Sequence, residues 1–227
     1  IITPLVLVSY YSVVGGWSFC YLFKSLSFDF NAAAVDSVAG MFGSFTSSVW
    51  SPLVCHTVFL AATCLIILGG VKKGIEKFAS ITMPVLFVLI LIIMVYAVSL
   101  PGAGAGVEYL LKPDFSKLDG KTGAAAMGQA FFTLSLGTGS ILTYASYVKK
   151  DENILFSGLG TAGFDLLLAL IAGFAVMPAV FSAGIEPGAG PGLVFETLPY
   201  IFSKMGASLP WLSAIIAILF FFSIVIA

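Results

Sequence analysis

Residues 128–148 read GQAFFTLSLGTGSILTYASYV, an apolar stretch long enough to cross a bilayer. Its middle, residues 135–140 (SLGTGS), is poor in helix-forming residues where a spanning helix needs the strongest ones. We therefore predict a helix break at mid-membrane. Such a break frees backbone amides and carbonyls, which must be buried against protein or a water-filled cavity and can bind an ion or a substrate carboxylate. The alternative is that these small residues only allow close helix packing.

The composition of the whole chain indicates a membrane protein. Of its 227 residues, 59% are hydrophobic and 9% are charged, and the mean hydropathy is +1.10, which excludes a water-soluble globular protein. Ten lysines, no arginine and eleven acidic residues give a net charge of −1 without a basic cluster, so nucleic acid is excluded as a partner. The predicted fold class is an all-α, polytopic helical membrane protein whose partner is the lipid bilayer.

Six apolar segments are predicted as membrane helices of one transmembrane unit covering residues 1–227. They span about residues 4–23, 50–70, 74–100, 124–148, 154–183 and 209–227. The second and fourth connections are short and lysine-rich, so the positive-inside rule places them in the cytoplasm. The longer connections are then extracellular and cover residues 24–49, 101–123 and 184–208. The last of these contains a Gly- and Pro-rich turn followed by a predicted short re-entrant or surface helix.

The two ends of the chain resemble the edges of a fragment. The chain begins Ile1-Ile2-Thr3-Pro4 with neither an initiator methionine nor a signal-peptide pattern, and it is still apolar at Ala227. We therefore expect further helices of the same protein upstream and downstream.

Asp165 is the one carboxylate deep inside an apolar segment. Ionisable groups in the membrane are costly and therefore point to function, with buried structural pairing as the alternative. No lysine or arginine lies at mid-membrane, so the expected partner is a metal ion or a proton. Oxygen ligands from Asp165, Thr133 and backbone carbonyls would suit a hard monovalent cation.

Several other residues allow two interpretations. Tyr10 and Tyr11 lie midway along the first segment, where a phenol either faces a ligand or makes an interhelical hydrogen bond. Gly74 and Pro84 weaken the start of the third segment, as a kink or as a point of unwinding. His56 has no partner residues at ligand spacing and is expected to be structural.

Enzyme chemistry and a disulfide framework are not indicated. One histidine and one deep carboxylate on different segments form neither a metalloprotease nor a serine-protease pattern. The three cysteines, Cys20, Cys55 and Cys64, lack paired spacing and are expected to be inert buried thiols. A channel would need a continuous polar pore lining, whereas the polar residues here cluster at mid-membrane. No organic cofactor is expected.

The stretch 128–148, together with residues 74–84 and the Tyr10-Tyr11 pair, closely resembles the neurotransmitter:sodium symporter family, bacterial branch. The resemblance covers the whole chain and implies part of a LeuT-like inverted-repeat bundle, from the third to the eighth of twelve helices. It implies sodium-coupled symport of an amino acid or related small amine by alternating access, in a bacterial plasma (inner) membrane. A homologue that acts as a non-transporting sensor or scaffold is the alternative.

The resemblance also implies roles for individual residues. By position, Tyr11 matches a tyrosine that binds the substrate carboxylate, Phe132 an aromatic lid and Ser135 the site of the substrate amino group. Leu7 and Thr138 match residues that shape the side-chain pocket. Thr133 and Asp165 match ligands of a co-transported Na⁺ ion. The residues expected to act in gating or conformational change are Gly74, Pro84, Gln129, Gly137, Gly139 and Tyr147.

At two positions the chain departs from the family pattern, and each departure leads to a prediction. Chloride-dependent relatives pair a glutamine, matched by Gln129, with a serine where this chain has Ala169. The negative charge of Asp165 could take the place of chloride, so we expect chloride-independent transport. Thr138 replaces a residue that is often bulky, which should leave more room or polarity in the pocket.

Overall fold

The computed structural model describes residues 2–28, 40–112, 114–137, 139–148, 152–182, 184, 193–206 and 210–227. These residues form helices and contain no strand, which confirms the all-α prediction. In chain order the α-helices are α1 (Ile2–Leu26), α2 (Met41–Ser47), α3 (Trp50–Leu68), α4 (Lys77–Ser99), α5 (Gly104–Leu111), α6 (Gly120–Thr133), α7 (Ser140–Ala145), α8 (Ile154–Ser182), α9 (Leu198–Gly206) and α10 (Pro210–Ile226). A π-helix precedes α4 at Val71–Glu76, a second precedes α9 at Leu193–Thr197, and a 3-10 turn covers Phe115–Lys117.

Four of the described helices are long and apolar enough to cross a membrane. They cover Ile2–Leu26, Trp50–Leu68, Gly74–Ser99 and Ile154–Ser182, and the shorter α10 is also apolar. The chain is therefore a multi-pass helical membrane protein.

The predicted segment 124–148 consists of two helices, α6 and α7, with non-helical backbone between them. The first of them begins earlier than the apolar pattern because Asp119 caps it. The Asp119 carboxylate accepts hydrogen bonds from the Thr122 amide and hydroxyl, both at 2.7 Å. These hydrogen bonds favour the ionised carboxylate and hold the pKa of Asp119 below its usual value.

Residues 74–84, for which either a kink or a point of unwinding was expected, are helical in this structure. Gly74 belongs to the π-helix and Pro84 lies inside α4. A Cβ on Gly74 would overlap the Ile66 carbonyl oxygen, so the tight turn between α3 and α4 requires glycine at this position.

The core is a cluster of aromatic rings near the C-terminal end of α1. Phe195 of the second π-helix stacks on Phe42, with ring centroids 5.5 Å apart, and meets Tyr21 at 5.2 Å. The Lys24 ammonium lies 5.2 Å from the Tyr21 ring and 5.5 Å from the Phe45 ring. Since Phe195, Tyr21 and Phe45 are buried, these contacts anchor the segment after α8 against α1 and α2.

Two glycines allow helices to touch backbone to backbone. A Cβ placed on Gly16 of α1 would lie 2.6 Å from the His56 Cα of α3. A Cβ on Gly106 of α5 would likewise lie 2.6 Å from the Pro178 Cα of α8. Small residues at such crossings are a common packing device of membrane helices.

We expect Gly16→Ala to lower the free energy of unfolding by about 1–3 kcal/mol, because the added methyl group meets backbone that cannot rotate away. Thermal unfolding of the full-length protein in detergent measures this effect. Gly43→Ala is the matched control, since a Cβ at this helical position meets nothing within 4 Å. Equal stability of Gly16→Ala and the parent protein would contradict the crossing.

Candidate functional site

The helix break predicted at mid-membrane is present. Helix α6 ends at Thr133 and α7 begins at Ser140. Between them, Ser135, Gly137 and Gly139 have φ angles of 53°, 80° and 84°, in the left-handed region. Glycine reaches this region freely, whereas serine does so at a cost of about 1–2 kcal/mol.

Backbone amides that follow α6 donate hydrogen bonds to carbonyls of its last turn. The Ser135 amide donates to the Phe132 carbonyl at 3.0 Å, and the Leu136 amide donates to the Phe131 carbonyl at 2.8 Å. These two bonds form a Schellman motif, with Ser135 at the position that glycine usually occupies. Together with the hydrogen bond from the Leu134 amide to the Ala130 carbonyl, they satisfy three carbonyls of the last turn, which allows α6 to stop here.

Tyr11 and Phe132 meet beside this break. Their rings stack with centroids 6.1 Å apart and an interplanar angle of 26°. Tyr10 packs edge-on against Tyr11 at 5.9 Å, and Leu7 lies half-buried one turn earlier on α1. The structure thus brings together two of the residues predicted to bind substrate, while Thr138 lies outside the described residues.

A cavity of about 330 Å³ opens at the break. Its lining residues come from the break itself, from α7 and from the start of α1: Thr3, Pro4, Ser135, Leu136, Gly137, Gly139, Ile141 and Leu142. The sequence reasoning missed Thr3 and Pro4. The available signal was helical spacing, because Thr3 precedes Leu7 and Tyr11 at intervals of four residues and so shares their face of α1.

Thr133 and Gln129 form a pair on α6. The Thr133 hydroxyl donates to the Gln129 carbonyl at 2.9 Å and accepts a hydrogen bond from the Gln129 side-chain amide at 3.2 Å. Asp165 lies half-buried on α8 and makes no hydrogen bond or ion pair with any described residue. The described residues contain no cluster of three or more His, Cys, Asp or Glu side chains around a metal position.

Other singled-out residues lie away from the break. Tyr147 is exposed just beyond α7, where its amide donates to the Tyr144 carbonyl at 3.0 Å. The Nδ1 atom of His56 is buried at the crossing of α1 and α3, without a hydrogen-bond partner among the described residues. All three cysteines are free thiols, but Cys20 and Cys55 are half-buried and Cys64 is exposed, so the prediction that they are buried is wrong.

Comparison with known proteins identifies a family and relatives that are all described as sodium-dependent transporters or symporters. The family model described as the sodium:neurotransmitter symporter family matches residues 30–227. The chain is 38% identical over 198 residues to an uncharacterized sodium-dependent transporter of Bacillus subtilis, covering 87% of this chain and 44% of that protein. It is 35% identical to an uncharacterized sodium-dependent transporter of Haemophilus influenzae, covering 97% of this chain and 48% of that protein.

A solved structure is similar over nearly the entire chain. The crystal structure of MhsT in complex with L-phenylalanine has a TM-score of 0.88 and 39% sequence identity, covering 99% of this chain and 50% of that one. The chain therefore spans about half the length of each of these three proteins.

We expect Ser135→Gly to be more stable than Ser135→Ala by about 1 kcal/mol, because both remove the hydroxyl but only glycine adopts the left-handed conformation without strain. The same pair at Ser12, inside α1, is the control. There alanine should be the more stable variant by about 0.5–1 kcal/mol, since glycine weakens a helix interior. Thermal unfolding in detergent measures both differences, and the same order at both positions would argue against the Schellman closure.

Proposed function

The chain belongs to the sodium:neurotransmitter symporter family, and we propose that the full-length protein carries an amino acid or related small amine together with Na⁺ across a bacterial plasma membrane. Transport proceeds by alternating access and needs neither covalent catalysis nor an organic cofactor. The observation that carries the proposal is the helix break beside the Tyr11–Phe132 stack. Broken helices at mid-membrane serve transporters as binding sites for substrates and ions.

The substrate lies between α1 and the break. The Tyr11 hydroxyl donates a hydrogen bond to its carboxylate, and Phe132 covers it from the outside as a lid. Ser135 receives the amino group, while Leu7 and Thr138 contact the side chain. The stacking of Tyr11 on Phe132 supports this arrangement, because it brings into contact the two side chains that are proposed to bind the carboxylate and to cover the substrate.

Sodium is bound close to the end of α6. The C-terminal end of a helix carries partial negative charge, and Thr133 is the last residue of α6. The Thr133 hydroxyl and the Asp165 carboxylate are the proposed side-chain ligands. The lack of a charged partner for Asp165 among the described residues supports a cation as its partner. Sodium and substrate are coupled because together they stabilise the occluded state more than either does alone.

Opening toward the cytoplasm depends on the start of α4 and on the break between α6 and α7. The π-helix that contains Gly74, followed by Pro84 inside α4, is the place where we propose unwinding and a water path for sodium release. Gly137 and Gly139 let the two halves of the broken helix move relative to each other. Tyr147 closes the cytoplasmic side, and Gln129 holds the Thr133 hydroxyl.

The first test is uptake of a radiolabelled amino-acid panel by the full-length protein in proteoliposomes, with and without an inward sodium gradient. Because the similar MhsT structure holds L-phenylalanine, aromatic and apolar amino acids head the panel. We expect accumulation that collapses without sodium. No uptake of any amino acid or amine in tight liposomes would favour a sensor or scaffold, and uptake without sodium would contradict symport.

Within this assay, Tyr11→Phe should raise KM about tenfold or more, because a hydrogen bond to a charged group contributes about 1.5–3 kcal/mol. The substitution keeps the aromatic ring and its stacking on Phe132. Tyr10→Phe removes the neighbouring hydroxyl and is the matched control, with KM unchanged. Equal effects of the two substitutions would contradict the role of Tyr11.

Replacing chloride with gluconate should leave uptake unchanged, because the fixed charge of Asp165 balances that of sodium. Asp165→Asn should raise the sodium concentration for half-maximal uptake about tenfold, since loss of a charged contact costs about 1.5 kcal/mol. Glu152→Gln, at an exposed position, is the control for loss of a negative charge. A steep loss of uptake by the parent protein in gluconate would show chloride dependence and contradict the proposal.

A further inference from the structure

A groove of about 350 Å³ lies where α3 ends and α4 begins, at the hairpin tip that the positive-inside rule places in the cytoplasmic leaflet. Gly69 and Gly74 contribute backbone to its lining, together with the side chains of Leu65, Phe78, Ile81 and Lys77. The groove is separate from the cavity at the helix break, and none of the residues named here lines both.

The groove exists because two glycines approach each other. A Cβ on Gly69 would lie 3.0 Å from the Gly74 Cα, so α3 and the following turn meet without side chains between them. Around this backbone contact, Leu65 is 71% exposed, Ile81 59% and Phe78 41%. These exposed apolar side chains belong to helices that span the membrane, so the groove suits a hydrocarbon chain.

Lys77 adds a positive charge to this apolar groove. Its ammonium group makes no ion pair with any described residue, whereas Lys112 is neutralised by Glu108 at 2.7 Å. Residues 71–77 contain three lysines and one glutamate, a formal net charge of +2. Basic side chains next to an apolar groove between membrane helices, on the cytoplasmic side, are typical of sites for anionic lipid headgroups.

We propose that this groove binds an anionic glycerophospholipid of the cytoplasmic leaflet. One acyl chain lies along Leu65 and Ile81, and the phosphate of the headgroup contacts the Lys77 ammonium. The two glycines let the chain lie against the backbone of the hairpin. Charge complementarity distinguishes this lipid from a zwitterionic one, whose headgroup carries no net charge to match the turn.

Native mass spectrometry of the delipidated full-length protein tests the proposal, with dioleoyl phosphatidylglycerol and dioleoyl phosphatidylcholine as probes. We expect phosphatidylglycerol to bind more tightly, and Lys77→Gln to reduce that preference about fivefold, the effect expected of one lysine at a membrane surface. Lys121→Gln is the matched control, since it removes the same charge from an exposed position near the start of α6. The preference of the Lys121→Gln variant for phosphatidylglycerol over phosphatidylcholine should equal that of the parent protein.

A second variant tests the apolar part of the site without a change of charge. Leu65→Trp fills the groove and should weaken the binding of phosphatidylglycerol, while thermal unfolding verifies that each variant folds. Equal binding of the two lipids by the parent protein would overturn the proposal and indicate that another segment covers the groove. An undiminished preference in Lys77→Gln, or an equal loss in Lys121→Gln, would also overturn it.

Discussion

Hydrogen bonding of the backbone in an apolar medium is the constraint on which this structure depends. A spanning helix satisfies its own amides and carbonyls, and each group left unsatisfied in hydrocarbon costs several kcal/mol. A chain can therefore leave the helix at mid-membrane only where another arrangement takes up those groups. Here the Ser135 and Leu136 amides bond back to the last turn of α6, which allows the cavity at the break to exist.

The aromatic core is tightly packed, whereas the helices that carry the proposed site are not. Tyr21, Phe195 and Phe221 are almost completely buried and hold α1, the second π-helix and α10 together. The residues described in α6 and α7, in contrast, have no buried member. Helix α1 belongs to both parts, with Tyr21 in the aromatic core and Tyr11 at the break. The core thus positions the one ring against which Phe132 stacks.

Local signals predicted the features that depend on local physics. Hydropathy indicated the membrane-spanning helices, and the weak helix propensity of residues 135–140 predicted the break. Helix α6 begins at Gly120, before the predicted residue 124, because its cap, Asp119, lies outside the apolar stretch that defined the predicted segment. The crossing at Gly16 could not be read from the sequence, since a contact between α1 and α3 depends on which helices pair. The roles of the site residues come from family resemblance, and nothing in their spacing distinguishes sodium from substrate.

The alternation of backbone conformations in the break has a consequence for how such a protein can diversify. Residues 135, 137 and 139 are left-handed, and two of them are glycines that an L-residue could replace only with strain. Leu136, which lies between two of these positions, is not among the described residues with a positive φ and does not need a left-handed conformation. Inherited variation can therefore be concentrated at position 136 while the glycines preserve the course of the chain. Single replacements of Leu136, which lines the cavity at the break, would then change the cavity wall and leave the architecture intact.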